Sequence, residues 1–173
     1  MHCLSRACPS VRPILTWPMP TVLIIDDDSA TRAALETLLK KKKFCVFLAP
    51  DGPTGIRLIG SVSFDAVVID MFMPGMDGIA TIRELIKIDP TVPFIAISGY
   101  AFTDKKQGAP DFLGMAIKLG ATAALQKPFD LLDLLEAVDR AIEVRQRLLA
   151  DARGNLAPHR HLSGEPHDEH PGR

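Results

Sequence analysis

The stretch TVLIIDDDSATR, residues 21–32, carries five uncharged residues straight into three aspartates, Asp26, Asp27 and Asp28. Adjacent carboxylates repel. One at the end of a buried strand is costly unless a cation, a proton or a helix N-terminus balances it. Further along, Asp70 ends the apolar run FDAVVID, Ser98 ends PFIAIS, and Lys127 follows ATAALQ. Asp26, Asp27 and Asp70 together suit Mg²⁺, a hard cation that takes oxygen ligands and is commonly held by one or two carboxylates plus a phosphate. Asp70 is the candidate nucleophile, giving an acyl phosphate. Lys127 and the Ser98 hydroxyl are the candidates for binding the phosphoryl oxygens. Asp28 is surplus to the metal and is assigned to the first helix N-terminus, where negative charge is favourable.

These residues share a position in the pattern. Residues 21–25, 44–49, 64–70, 93–98 and 121–126 read as strands. Helical spacing is found over 29–42, 53–61, 78–88, 110–119 and 130–150, with Ser29 and Asp130 as candidate N-caps. Strictly alternating strands and helices imply parallel strands joined by right-handed crossovers. The runs LII, AVVI and FIAI are continuously apolar, as central strands buried on both faces must be. Ligands bind such sheets beyond the carboxyl ends of the strands, where the strand order reverses. The second strand ends in Ala49 and Pro50, with nothing reactive, and so suits an edge. The order 2-1-3-4-5 then sets the acids of strand one beside Asp70 of strand three.

Composition narrows the classes. The chain has 173 residues, 47% hydrophobic and 24% charged, with a net charge of −1. That balance gives no basic excess for nucleic acid, and no apolar run approaches membrane-spanning length. Three cysteines, Cys3, Cys8 and Cys45, form neither a disulfide framework nor a zinc spacing, which favours a cytoplasmic setting. All five histidines lie outside residues 21–150, which removes histidine-based triads from the core. Residues 1–20, proline-rich, read as a disordered arm or as sequence upstream of a true start at Met19. Residues 151–173, holding four histidines, read as a disordered tail.

The ordered set IIDDD, VVIDMFMPGMDG, AISGY and QKPF resembles the receiver domain of two-component response regulators, over about residues 21–147. The resemblance implies a flavodoxin-like (βα)5 fold of the stand-alone, single-domain type. It implies Asp26 and Asp27 as the acidic metal pair, Asp70 as phosphoacceptor, Ser98 as switch hydroxyl and Lys127 as the site lysine. It also implies the Phe72 backbone carbonyl as a further Mg²⁺ ligand and a cis Lys127–Pro128 bond. Pro74, Gly75 and Gly78 would shape the loop after the acceptor, with positive φ expected at the two glycines. The implied partners are a histidine kinase or histidine phosphotransfer protein upstream. Downstream, a protein or a second copy would be met through strands four and five and the last helix. The chain would be a signalling module that catalyses its own phosphorylation, not a metabolic enzyme.

Three features depart from the family pattern. Ala124 stands where the family often has an aromatic switch, leaving Tyr100 as the substitute. The segment 103–114 lengthens the connection from Ser98 to Lys127. No output domain follows the fifth helix. With Phe72 and Tyr100 both large, self-dephosphorylation is expected to be slow, over minutes or longer. Two other functions compete: a receiver fold binding partners without phosphate, and an aspartate-nucleophile phosphatase using Asp26 and Asp28 as D-x-D. The lysines 40–43 are read as a solvated helix end, and Met71, Met73 and Met76 as gap-fillers. On the last helix two apolar stripes run, one through Leu135 and Val138, the other through Leu134, Ala137 and Ala141. They mark either one wide core face or a core face plus a partner face.

Overall fold

A computed structural model describes residues 19–99 and 111–154. Its elements alternate without exception: β1 (Thr21–Ile25), α1 (Ser29–Lys41), β2 (Cys45–Ala49), α2 (Gly52–Ser61), β3 (Ala66–Asp70), α3 (Gly78–Ile88), β4 (Phe94–Ser98), α4 (Phe112–Lys118), β5 (Ala123–Gln126) and α5 (Leu131–Gly154). The five strands pair in parallel in the order β2-β1-β3-β4-β5, as the pattern predicts. Every residue of β1, β3 and β4 is buried, while β2 and β5 are the half-exposed edges.

Successive strand residues point to opposite faces and so feed two cores. Leu23, Ile25, Val67, Ile69 and Ala96 pack under α2, α3 and α4 through Ile59, Ile82, Leu85 and Ala116. Val22, Ile24, Val68, Ile95 and Ile97 pack under α1 and α5 through Leu35, Leu39, Leu134 and Val138. No helix of the described residues is long and apolar enough to cross a membrane.

Each of the five helices begins behind an aspartate. Asp28, Asp51, Asp77 and Asp111 accept backbone N–H bonds as N-caps, and Asp130 accepts from Leu132 N at 2.9 Å. The candidate cap Ser29 is instead the first helical residue of α1. The aspartate before it offers two oxygens and takes both the Ala30 and Thr31 N–H groups.

Several boundaries differ from the sequence expectation: β3 starts at Ala66 and β5 at Ala123, each two residues late. α4 is short, starting at Phe112, and α5 runs to Gly154 rather than stopping at 150. Ala152 and Arg153 propagate a helix well, and no proline comes until Pro158. The two stripes of α5 resolve into one wide core face, since Leu134, Leu135, Ala137, Val138, Ala141 and Ile142 are all buried. Toward its two ends Leu131 and Leu148, of the same stripes, are exceptions at 49% and 41% exposed. Tyr100 and residues 103–110 lie outside the described residues.

At the base of the sheet, α5 carries a buried cation. Arg145 forks onto Asp89, with Nη2 2.7 Å from Oδ2 and Nη1 3.0 Å from Oδ1. It also donates to the Thr91 hydroxyl and to Ser63 Oγ at 3.3 Å. Asp89, at the end of α3, is half-buried, which raises its pKa. Bonds from Arg145 and Thr91 outweigh this and hold it below the usual value. Breaking a buried pair leaves the remaining charge uncompensated. Arg145→Ala is therefore expected to cost about 2–3 kcal/mol of stability, read as a lower urea midpoint. A loss below about 0.5 kcal/mol, the scale of an ordinary surface change, would show that the fork contributes nothing.

Candidate functional site

The strand order brings the sequence-predicted residues to one edge. Ile25 lies beside Ile69 in the sheet, so Asp26 leaves β1 next to Asp70 at the end of β3. Asp70 lies beside Ile97, one residue before Ser98, and Ser98 beside Gln126, one residue before Lys127. The Lys127 N–H donates to the Ser98 carbonyl at 2.7 Å, fixing the start of the lysine. The Lys127–Pro128 peptide is cis, as the resemblance implies.

Asp26 is fully buried. Its Oδ1 accepts from Asp28 N at 2.8 Å and its Oδ2 from Lys127 Nζ at 2.8 Å. Its backbone carbonyl accepts from Arg32 Nη1 at 2.6 Å. Asp70 is 5% exposed, and its Oδ1 lies 3.5 Å from Lys127 Nζ. That separation is an ionic contact, too long for a good hydrogen bond. Asp70 Oδ1 is thus buried without a hydrogen-bond partner. Asp27 is exposed, and ligand oxygens of Asp26, Asp27 and Asp70 all lie within 4.8 Å of one another. Three carboxylates, one with an unused buried lone pair, fit a hard cation taken by oxygen.

Asp28 does not join them. Its carboxylate is engaged by the Thr31 hydroxyl at 2.6 Å and by the Ala30 and Thr31 N–H groups. The same bonds, the hydroxyl foremost, lower its pKa. A D-x-D phosphatase would need that residue in the site.

A family model described as the response regulator receiver domain matches residues 22–139. The chain belongs to that family. It is 32% identical over 126 residues to the transcriptional regulatory protein PrrA of Mycobacterium leprae, covering 73% of this chain and 51% of that protein. It therefore spans about half the length of that relative. With the sporulation initiation phosphotransferase F of Bacillus subtilis it shares 28% identity over 124 residues, covering 72% of this chain and 94% of the relative. The solved receiver domain from Clostridium thermocellum superposes with a TM-score of 0.65 at 32% identity, over 76% of this chain and 99% of that one.

As a receiver, the chain shows three things its sequence did not. Gly78 is required for space, not for positive φ. A Cβ there would stand 2.6 Å from both the Asp70 carbonyl and Met71 Cα, whereas Gly75 does take φ +81°. Arg32, on the first turns of α1, steadies the loop of acids through a backbone carbonyl. Phe112, at the start of α4, meets Phe72 edge-on with ring centroids 4.8 Å apart. Ala124 faces only Ala96 across the sheet, so β5 offers no aromatic switch at that position. Tyr100, its suggested substitute, is outside the described residues.

Burial pushes the Asp70 carboxyl up to about 6, from an ordinary 3.8. Asp26 and Asp27 add to the rise and Lys127 opposes it. Burial also lowers the Lys127 pKa, but bonding to Asp26 and the charge of Asp70 outweigh it, and the net shift is upward. Between pH 3.8 and 6 the folded state holds a proton on Asp70 that the unfolded chain has released. Stability therefore falls as pH rises through that window. Asp70→Asn is expected to raise stability by about 2–3 kcal/mol at pH 7.5 in chelator, with the gain disappearing near pH 4. Equal gains at both pH values, measured by urea unfolding, would mean that the Asp70 charge is not the cause.

Proposed function

We propose that this chain accepts a phosphoryl group on Asp70 from a phosphohistidine of a histidine kinase or phosphotransfer protein, and that the modification switches a protein-interaction surface. The observation that carries this is the position of the Lys127 ammonium, shared between buried Asp26 and Asp70 beside the exposed Asp27. In the transfer step an Asp70 oxygen bonds to phosphorus. The phosphorus–nitrogen bond breaks, and its electron pair returns to the donor imidazole. Lys127 and the Ser98 hydroxyl bind the phosphoryl oxygens, so the chain contributes positioning and charge stabilisation. Mg²⁺ would be held by Asp26, Asp27, Asp70 and the Phe72 carbonyl, and supplies neutralising charge to the phosphoryl group.

The unit that does this is the receiver of residues 21–150, acting in the cytoplasm as a signalling module. Its output surface is the face of α4, β5 and the start of α5. Support comes from Ile117, Leu131 and Leu132, which are 49%, 49% and 64% exposed there. Large apolar side chains left in water at a switchable face suit a downstream protein or a second copy.

Acetyl phosphate with Mg²⁺, followed by intact mass, is expected to add one phosphate to the wild-type chain. Asp70→Ala and chelator should each abolish the adduct, and Lys127→Ala should slow its formation by about tenfold or more. Asp28→Ala should label like the wild type. Labelling that survives in Asp70→Ala would overturn the assignment of the acceptor. Labelling lost in Asp28→Ala would instead favour the D-x-D chemistry.

A further inference from the structure

β2 stands first in the strand order, so one of its edges meets β1 and the other meets no strand of the described residues. A free edge can pair with another chain, and edge strands are usually guarded against this by a charge, a proline or a bulge within the strand. The run CVFLA holds no charge and no proline, and its register with β1 passes through every position without a bulge. Cys45, Val46, Phe47 and Leu48 are all half-exposed.

The backbone sets which residues face outward. The Cys45 N–H donates to the Pro20 carbonyl, and the Ala49 carbonyl accepts from Asp26 N. Cys45 and Ala49 therefore turn their backbone groups to β1, and Phe47 between them does the same, because these directions alternate along a strand. Val46 and Leu48 turn theirs outward. The free ladder stops on either side of them: Phe44 N is committed to the Leu39 carbonyl, and Pro50 has no N–H.

Charge identifies the occupant. Lys41, Lys42 and Lys43 are exposed just before the strand, while Lys40 is paired to Glu36 within α1. Asp51 follows the strand, and exposed Asp27 and Asp28 leave β1 at that same end. The edge is thus basic at one end and acidic at the other. Two copies related by a two-fold axis pair identical strands antiparallel, which lays each basic end on the acidic end of the second copy. Centred on Phe47, this register sets Lys43 toward Asp51 and Val46 opposite Leu48, where the two outward-facing residues exchange both N–H···O bonds. The two Phe47 side chains meet across the axis as a cross-strand aromatic pair. Lys43 also has a φ of +65°, just past the C-terminus of α1, where glycine is the usual residue. A lysine there costs the fold some stability and keeps a charge at the end of the free edge.

We propose that two copies of this chain pair through β2, antiparallel and centred on Phe47, into one continuous sheet. The two β5 edges then lie at its far ends, so the faces of α4, β5 and α5 stay open in both copies. The inference stands on the edge and its charges and does not rest on the function proposed above.

The full-length wild type, Val46→Pro and Lys43→Gly are compared by sedimentation equilibrium up to about 0.5 mM, since a contact this small suits a Kd in the micromolar range. Tm is recorded for each. The wild type is expected to dimerise. Val46→Pro removes an outward N–H and leaves the ladder to β1 whole, so it should weaken the dimer about tenfold or more. Lys43→Gly relieves the positive φ, so it should raise Tm and yet weaken the dimer about threefold. Where Val46→Pro does not fold, Lys43→Gly carries the test. A wild type that stays monomeric throughout overturns the inference. A folded Val46→Pro chain that dimerises like the wild type also overturns it and places the contact on another face. Lys43→Gly pairing as tightly as the wild type overturns the charge-matched register and the inference with it.

Discussion

The structure turns on one ammonium group. Two carboxylates, Asp26 and Asp70, are buried at the C-terminal edge of the sheet, and Asp27 adds a third negative charge at the rim. Lys127 reaches them from β5, past β4, to lie 2.8 Å from one and 3.5 Å from the other. Its stem passes Gly99, where even a Cβ would stand only 3.7 Å from Lys127 Cδ. Without that ammonium the crevice would bury like charges with nothing between them, at a cost of several kcal/mol. With it the balance is still incomplete. One positive charge serves two buried acids, and the Asp70 oxygen facing it accepts no hydrogen bond.

That incompleteness is where stability and function part company. A fully satisfied carboxylate makes a poor acceptor for a phosphoryl group, because its lone pairs are already committed. Asp26 is nearer to that kind: each oxygen already accepts one hydrogen bond, from Asp28 N and Lys127 Nζ, with a second lone pair left for a cation. Asp70 is of the other kind, ionisable near neutrality and short of partners. The two acids differ in environment far more than in sequence context, as expected where neighbouring carboxylates take different roles. The rest of the fold holds that difference in place. Gly78 lets the loop after β3 fold back against the Asp70 backbone, and Asp28 closes α1 directly behind Asp26 and Asp27.

Much of this was legible in the sequence, for physical reasons. The central strands are buried on both faces, so they must read as unbroken apolar runs. The reactive residues sit where those runs end, so topology alone brings them together. Other features were not legible. Five aspartates cap helices and look, one by one, like the three in the site. Asp28 adjoins the cluster and still belongs to the caps. The width of the α5 core face depends on how closely β3, β4 and β5 approach it, which a helical period does not encode. The Arg145 fork joins residues 56 apart, and the Phe72–Phe112 contact depends on where a short helix begins. Gly78 was expected to serve through its φ angle and serves through its lack of a side chain.

The position of α5 follows from both ends of the molecule. At the site end, only Pro128, Phe129 and the capping Asp130 separate Lys127 from the first turn of α5. At the base, Arg145 is locked to Asp89 and Thr91 of the connection after α3 and to Ser63 of the connection after α2. Between these points Leu134, Leu135, Ala137, Val138, Ala141 and Ile142 lie in the core, so the helix body is fixed by packing. Its first turn is less constrained, for Leu131 and Leu132 face solvent within five residues of the site lysine. In the proposed function, a change in the charge that Lys127 serves would reach this turn first. The same turn carries the exposed apolar surface. Chemistry and surface are joined here by chain connectivity, and a long-range relay through the core is not needed to link them.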